Sequence, residues 1–203
     1  MMICRQHHHL PRSKERGFIE AAISCQRVST PSRPFRVQKN AASLKHSAIV
    51  SIGAIRFDLE RTFDTFSVKV DLQSCFDAGL QADGDTLRWW MQQSDDARRV
   101  FIGDCRPLED ALDAFAEWMG ADAIVWGNGA AFDNVVLANA YRSCDKQVPW
   151  HHFQDRCYRT IKNLCPDVKL ERQGIHHNAL DDATSQAEHL IECMKTLRLG
   201  ANV

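Results

Sequence analysis

Several features are missing from this chain of 203 residues, and each absence excludes a class of protein. No apolar run approaches the roughly 18–20 residues that a bilayer-spanning helix needs. The first residues also lack the apolar core of a secretory signal. The eight cysteines include no C-x-x-C pair, so neither a zinc ribbon nor a disulfide framework is indicated. We therefore expect a protein of a reducing compartment, cytoplasmic and without a membrane partner.

Charge is distributed unevenly along the chain, although the net charge is only −1. Residues 1–46 contain nine lysines and arginines against two acids, whereas residues 47–203 contain sixteen against twenty-four. The first segment is also rich in serine, histidine and proline and has no sustained hydrophobic period, which is typical of poorly ordered chain. We predict a basic, poorly ordered N-terminal segment over residues 1–46 and a folded domain over residues 47–203.

The N-terminal segment admits other interpretations. A basic arm that contacts nucleic acid would carry the same charge, and an organellar targeting segment would share the arginine- and serine-rich composition. A displaced reading frame or start site would explain why no pattern is visible. Only residues 17–25, GFIEAAISC, have the apolar content of a strand or a short helix.

From Ser47 onwards the hydrophobic pattern predicts alternating strands and helices. Residues 48–57 have the composition of a buried strand, and residues 63–70 that of its hairpin partner after a turn at residues 58–62. Further elements are predicted as helices starting at Asp85 or Thr86, after Pro107, at 131–144 and at 178–197, with a short strand at 123–126. A hairpin followed by alternating helices and strands predicts an α/β fold with a mixed sheet flanked by helices.

The motif HHNALDDA is the first candidate for chemistry. His177 stands just before the last predicted helix, and Asp182 lies five residues further on, inside its first turns. A histidine is a suitable general base near neutral pH, and a nearby aspartate can hold a cation that activates a phosphate. Histidines and acids at helix starts are also common for structural reasons, and we interpret Asp181 as such a solvated acid.

The motif WGNGAAFDN, over residues 126–134, is the second candidate. It leads from a buried strand through a turn with two glycines into a helix that carries Asp133. Glycines allow the backbone to approach another group closely. Taken alone, the motif is also compatible with an ordinary β–α turn followed by a favourable N-terminal acid.

Together the two motifs resemble those of the DEDDh 3′–5′ exonucleases, which have a ribonuclease H-like fold. The turn before Phe-Asp is similar to the second motif of that family, and His177 with Asp182 is similar to its third, H-x(4)-D. Five blocks between Ser47 and Leu197 also follow the order of one subgroup, which includes phage and bacterial enzymes similar to exonuclease VIII and a mycobacterial-type 3′–5′ exoribonuclease. The resemblance implies a ribonuclease H-like mixed sheet and a phage or prophage origin.

The resemblance further implies a metal-dependent exonuclease that removes nucleotides from the 3′ ends of single-stranded RNA or DNA. In this family two Mg²⁺ or Mn²⁺ ions between four carboxylates polarise the scissile phosphate, and the histidine takes a proton from the attacking water. Asp133 and Asp182 then match metal ligands, and His177 matches the general base. Because relatives are often dimers, a homodimer is also expected.

The family's first motif, D-x-E on a central strand, has no counterpart at its expected place. The corresponding residues 34–47, PFRVQKNAASLKHS, contain no acid. Glu20, within the strand-like stretch, and Glu60, in the predicted hairpin turn, are the candidate substitute ligands. Two close divalent ions repel and need compensating anionic charge. Either part of residues 1–46 replaces the missing strand or the sheet is defective, because the neighbouring strands would otherwise have unpaired backbone groups.

Five residues are candidates for substrate binding. Tryptophan faces can stack unpaired bases, and arginine or tyrosine side chains can contact phosphates, although such residues also serve as core or solvated helix faces. These candidates are Trp89, Trp90, Arg156, Tyr158 and Arg159. The missing first motif leaves two interpretations open: an impaired exonuclease, or a catalytically degenerate nucleic-acid-binding protein or product of a truncated or frameshifted exonuclease gene.

Overall fold

The computed structural model describes residues 20–27, 46–120, 123–129, 132–174 and 177–198. The strands of this part of the chain are β1 (Glu20–Arg27), β2 (Ile49–Phe57), β3 (Thr62–Lys69), β4 (Ile124–Gly127) and β5 (Asp155–Cys157). Its α-helices are α1 (Leu72–Asp77), α2 (Gly84–Met91), α3 (Asp95–Arg98), α4 (Leu108–Met119), α5 (Asp133–Ser143), α6 (Tyr158–Leu164) and α7 (Ala179–Thr196). No helix within these ranges is long and apolar enough to cross a membrane.

The strands form one mixed sheet in the order β3-β2-β1-β4-β5. The hairpin partners β2 and β3 are antiparallel, and β1 is antiparallel to β2. The strands β1, β4 and β5 run parallel to one another. Helices cover both faces, so the predicted α/β fold with a ribonuclease H-like mixed sheet is confirmed.

The central strand, β1, comes from the segment that we predicted to be poorly ordered. It pairs along its whole length with β2, from Glu20 opposite Phe57 to Arg27 opposite Ile49. Ile23 is fully buried on one face of the sheet, and Ala22 is buried on the other. Pairing to β2 and β4 satisfies backbone groups that would otherwise be buried without partners. The expectation that part of residues 1–46 replaces the missing strand is therefore confirmed for residues 20–27.

The hairpin between β2 and β3 has the predicted turn. The Asp58 side chain accepts hydrogen bonds from the backbone N–H groups of Glu60 and Arg61, each at 2.8 Å. An aspartate that binds its own backbone in this way favours a tight turn. The D-L-E sequence is thus part of a β-hairpin, at the end of the sheet where β2 finishes.

The helix predicted to start at Asp85 or Thr86 is interrupted. Asp83, not a later residue, caps α2, since its carboxylate accepts from the N–H groups of Asp85 and Thr86. Ser94 then caps a separate helix, α3, by accepting from the N–H of Ala97 at 3.2 Å. A side chain that competes for backbone N–H groups in this way starts a new helix and ends the periodic run.

Two apolar layers fix the helices on the sheet. The layer on one face joins α7 to β1 and β2 through Ala22, Ile55, Phe57, Ala183, Ala187, Leu190 and Ile191. The layer on the other face joins α4 and α5 to the sheet through Ile23, Ile52, Leu112, Phe115, Leu137 and Tyr141. Burial on both faces stabilises the sheet by roughly 25 cal/mol for each Å² of apolar surface removed from water.

The start of α7 lies directly against β2 at Gly53. A Cβ atom on Gly53 would overlap the backbone of Ala179, so only glycine permits this approach. Gly53 pairs with Ser24 of β1. The contact therefore places the N-terminus of α7 beside the C-terminal half of the central strand.

Candidate active site

Asp133 lies at the edge of the sheet where the parallel strands end. It is the first residue of α5 and is only 5% exposed. Its carboxylate accepts a hydrogen bond from the backbone N–H of Cys25 at 3.4 Å and another from that of Asn128 at 2.9 Å. One donor lies in β1 and the other directly follows β4. In open α/β sheets this edge is the usual place for ligands.

Asn134, the next residue, ties the start of α5 to two strands. Its amide nitrogen donates to the carbonyl oxygen of Val125 at 3.2 Å and to Asp155 Oδ1 at 2.7 Å. A Cβ atom on Gly127 would overlap its side-chain oxygen. The glycine in this motif therefore permits the close approach that holds Asp133 in place.

The N-terminus of α7 carries the third motif. Asn178 caps the helix by accepting from the N–H groups of Leu180 at 3.0 Å and Asp181 at 3.2 Å. Asp182 lies in the first turn, its side chain is 20% exposed, and its Oδ1 is 3.2 Å from Arg172 Nη1. Because α7 begins against Gly53, the partner of Ser24, its first turn lies near the half of β1 whose Cys25 N–H donates to Asp133.

His177 directly precedes this helix cap. Its φ of 67° lies in the left-handed region, which a non-glycine residue seldom adopts unless its surroundings impose it. The imidazole packs edge-on against Trp89, with 4.8 Å between ring centroids. The backbone turn and the tryptophan together limit the orientations of the ring.

The C-terminal end of β1 supplies no carboxylate. Residues 24–27 are Ser-Cys-Gln-Arg, and Ser24 is the residue opposite Gly53. Within the part of the chain that the structure describes, no group of three or more histidine, cysteine, aspartate or glutamate side chains is arranged to hold a metal ion. The local donor set is therefore smaller than the four carboxylates of the resembled family.

Neither substitute ligand is brought to Asp133. Glu20 begins β1, whereas Asp133 contacts Cys25, so roughly 16 Å of extended strand separates the two places. Glu60 faces the second half of α7, where it shares a shallow surface with Glu188 and Glu192. The structure gives no support to either glutamate as a replacement for the missing carboxylates.

The two tryptophans predicted to stack on bases differ in their exposure. Trp90 is 4% exposed and packs with Val50, Ala97 and Val100 in the core, so it has no face available for a base. Trp89 is half-buried and contacts His177. Only Trp89 therefore lies where a substrate could reach it.

The three residues predicted to contact phosphates lie in different environments. Tyr158 is 2% exposed, and its hydroxyl lies 2.9 Å from His189 Nδ1, which makes it a core residue. Arg156 is exposed, and its guanidinium donates to the carbonyl oxygen of Phe153 at 2.7 Å. Arg159 donates to the carbonyl oxygen of Asn128 at 2.9 Å, within the turn that binds Asp133. Arg159 is thus the residue of this group that adjoins the site.

Arg172, which pairs with Asp182, was missed in the sequence. It lies in the irregular connection between α6 and α7, where no hydrophobic period assigns a direction to a side chain. The only available signal was a basic residue ten positions before the matched aspartate.

Comparison with known families identifies the domain. A model of the 3′-5′ exoribonuclease Rv2179c-like domain matches residues 40–194 of the chain. The chain belongs to this family. The match includes Asp133, His177 and Asp182, and it begins after β1. Membership makes the protein a 3′–5′ exonuclease, as the sequence motifs predicted.

Solved structures share the fold at low sequence identity. The nuclease domain of 3′hExo, a DEDDh family member bound to rAMP, is 13% identical, with 91% of this chain and 95% of that chain covered at a TM-score of 0.57. Pop2p of S. pombe, in its Mg²⁺- and Mn²⁺-bound form, is 14% identical, with 88% and 83% covered at a TM-score of 0.56. Exonuclease X in complex with 5′ overhanging duplex DNA is 16% identical, with 89% and 94% covered at a TM-score of 0.54. A comparison with curated proteins finds no match.

Proposed function

We propose that this exonuclease uses a divalent cation, Mg²⁺ or Mn²⁺, to remove nucleotides from the 3′ ends of single-stranded RNA or DNA. The observation that carries the proposal is the approach of Asp133 and the first turn of α7 to one end of β1. The acids of residues 47–203 outnumber the bases. This excess of negative charge favours binding of a few nucleotides at a strand end over binding along a duplex, which needs many phosphate contacts.

The two aspartates fit one divalent ion when the substrate contributes further oxygens. Mg²⁺ is commonly held by one or two carboxylates together with substrate phosphates. Asp133 is oriented by two backbone N–H groups, and Asp182 is oriented by Arg172. A pair of ions would need more negative charge than these side chains supply. The proposal is therefore one ion, held by Asp133, Asp182 and the scissile phosphate.

The remaining residues have distinct tasks around the phosphate. A bound divalent ion would polarise the scissile phosphate. His177 accepts the proton of the attacking water, and Trp89 keeps its ring in position. Arg159, fixed to the Asn128 carbonyl, has further N–H groups that can donate to a non-bridging phosphate oxygen.

Shortening of labelled oligonucleotides tests the proposal. Single-stranded RNA and DNA, each labelled at the 5′ end, are incubated with Mn²⁺, with Mg²⁺ or with a chelator, and a preparation from cells with an empty vector controls for contaminating nucleases. We expect stepwise shortening from the 3′ end that depends on the cation. Shortening in the chelator contradicts metal dependence. Binding without any shortening favours the nucleic-acid-binding alternative.

A Ser24→Asp variant is expected to turn over the substrate about tenfold faster with Mn²⁺. Ser24 lies opposite Gly53, beside the start of α7, so a carboxylate there would add negative charge near the first turn of the helix that carries Asp182. Ser24→Asn, which has the same size without the charge, is the matched control. Initial rates at increasing Mn²⁺ concentration give the measurement. Equal rates and equal Mn²⁺ requirements for the two variants would show that this position does not reach the ion.

A further inference from the structure

A cleft of about 200 Å³ lies beside His177, on the side of the sheet where α7 begins. Its polar lining comes from separate parts of the fold. Ser51 belongs to β2, Ser67 and Lys69 to β3, Arg99 to the turn after α3, and Asn178 to the cap of α7. Several elements must pack together to form the cleft, so its shape is a property of the whole domain.

The charge of the cleft is opposite to that of the domain around it. Lys69 donates from Nζ to the carbonyl oxygens of Arg99 at 2.9 Å and Ile102 at 3.0 Å. A lysine ammonium has three donors, so one remains for a ligand. Asp96 pairs with Arg99 at 3.1 Å and offsets only one of the two positive charges. A cationic cleft persists in a domain whose acids outnumber its bases.

We propose that this cleft binds a backbone phosphate of the substrate strand, next to the phosphate that is cleaved. The inference rests on the proposed exonuclease function, because the cleft shares His177 with that site. Ammonium, guanidinium and hydroxyl donors are the groups that proteins use for phosphate oxygens. Among the described lining residues the one aromatic side chain is His177, whose ring already packs against Trp89, so the described lining favours a phosphate over a stacked base.

Two adjacent arginines provide a matched test. Arg98 and Arg99 each pair with the acid three residues earlier, Asp95 and Asp96, but only Arg99 lines the cleft. Arg98→Gln and Arg99→Gln therefore each remove one positive charge, the first from outside the cleft and the second from its lining. Binding of a fluorescent single-stranded oligonucleotide is measured by anisotropy without divalent cation, so the readout does not require turnover.

We expect Arg99→Gln to weaken binding about tenfold and Arg98→Gln to leave it nearly unchanged. Lys69→Met is expected to weaken binding to a similar degree. Because Lys69 also holds two carbonyl groups, thermal melting checks that this variant folds. Equal weakening by the two arginine variants overturns the cleft as a binding site, as does the absence of any weakening.

A neutral methylphosphonate, placed at one linkage at a time, identifies the phosphate that the cleft binds. With the unaltered protein, one position near the 3′ end is expected to weaken binding about tenfold, and with Arg99→Gln that position loses its effect. A position profile that Arg99→Gln leaves unchanged overturns the proposal. If the binding results hold but the oligonucleotide is never shortened, the proposed catalytic function fails while the phosphate site stands.

Discussion

Replacing Asp133 with asparagine is expected to lower exonuclease activity about a thousandfold, because it removes a charge that the reaction requires. The carboxylate receives one N–H from Cys25 and one from Asn128. Asparagine keeps the volume and one accepting oxygen, but its amide nitrogen cannot accept the second hydrogen bond. We therefore also expect a loss of about 1–3 kcal/mol in the free energy of unfolding.

The control for this variant is Asp145→Asn, at the other end of the same helical segment. Asp145 is exposed and has a φ of 53°, a conformation that asparagine adopts readily. Initial rates on a 5′-labelled strand with Mn²⁺ are measured for both variants, and circular dichroism melting confirms that both are folded. If Asp133→Asn keeps a tenth or more of the activity, Asp133 does not hold an ion that the reaction needs.

Long periodic segments allowed most of the fold to be predicted. The hairpin, the helix after Pro107 and the last helix appear as β2 with β3, α4 and α7, within a few residues of their predicted ends. Each has an apolar face long enough for the period to decide its type. The short elements α1, β5 and α6 were not predicted, because three to seven residues contain too little of a period.

The central strand shows where pattern alone is insufficient. A strand buried on both faces is usually rich in β-branched residues, but β1 has the sequence EAAISCQR. Its small and polar side chains carry only a weak signal, which is compatible with either a strand or a short helix. Without β1, the facing edges of β2 and β4 would have unpaired backbone N–H and C=O groups. This requirement arises only in the assembled sheet, so no local sequence pattern indicates it.

Some residues of the candidate site could likewise be predicted from the sequence, and others could not. Asp133, His177 and Asp182 could be found because their spacing forms motifs. The links from Arg159 to Asn128 and from Arg172 to Asp182 could not be found, because each joins a helix to an irregular connection that no local pattern orients.

Replacing Glu20 with glutamine is expected to stabilise the protein by about 3 kcal/mol at about pH 8.5, with little change near pH 4. Burial raises the pKa of the Glu20 carboxyl to about 7. The nearby Trp126 indole and the positive charge of Arg156 lower it only in part. Glu20 Oε2 and Trp126 Nε1 complete no hydrogen bond with each other or with another described residue, so the indole offsets the effect of burial only in part.

The sign of this effect follows from proton binding. The folded pKa lies above the ordinary value of 4.5, so the folded state holds the proton more tightly than the unfolded chain. The stability that protonation contributes is complete below about pH 4.5 and is lost as the pH rises through about 7. Glutamine cannot ionise, and it therefore retains at alkaline pH the stability that the protonated glutamate has in acid.

Urea unfolding at about pH 4 and about pH 8.5 measures the difference, with Glu60→Gln as the control. Glu60 is exposed in the hairpin turn, so its substitution is expected to change stability little at either pH. An equal gain for Glu20→Gln at both values would mean that the carboxylate stays ionised throughout. Because Glu20 begins the central strand, its ionisation acts on the pairing between β1 and β4. Faster hydrogen exchange of the β1 amides in the unaltered protein at alkaline pH, and its suppression by glutamine, would locate the loss in that strand.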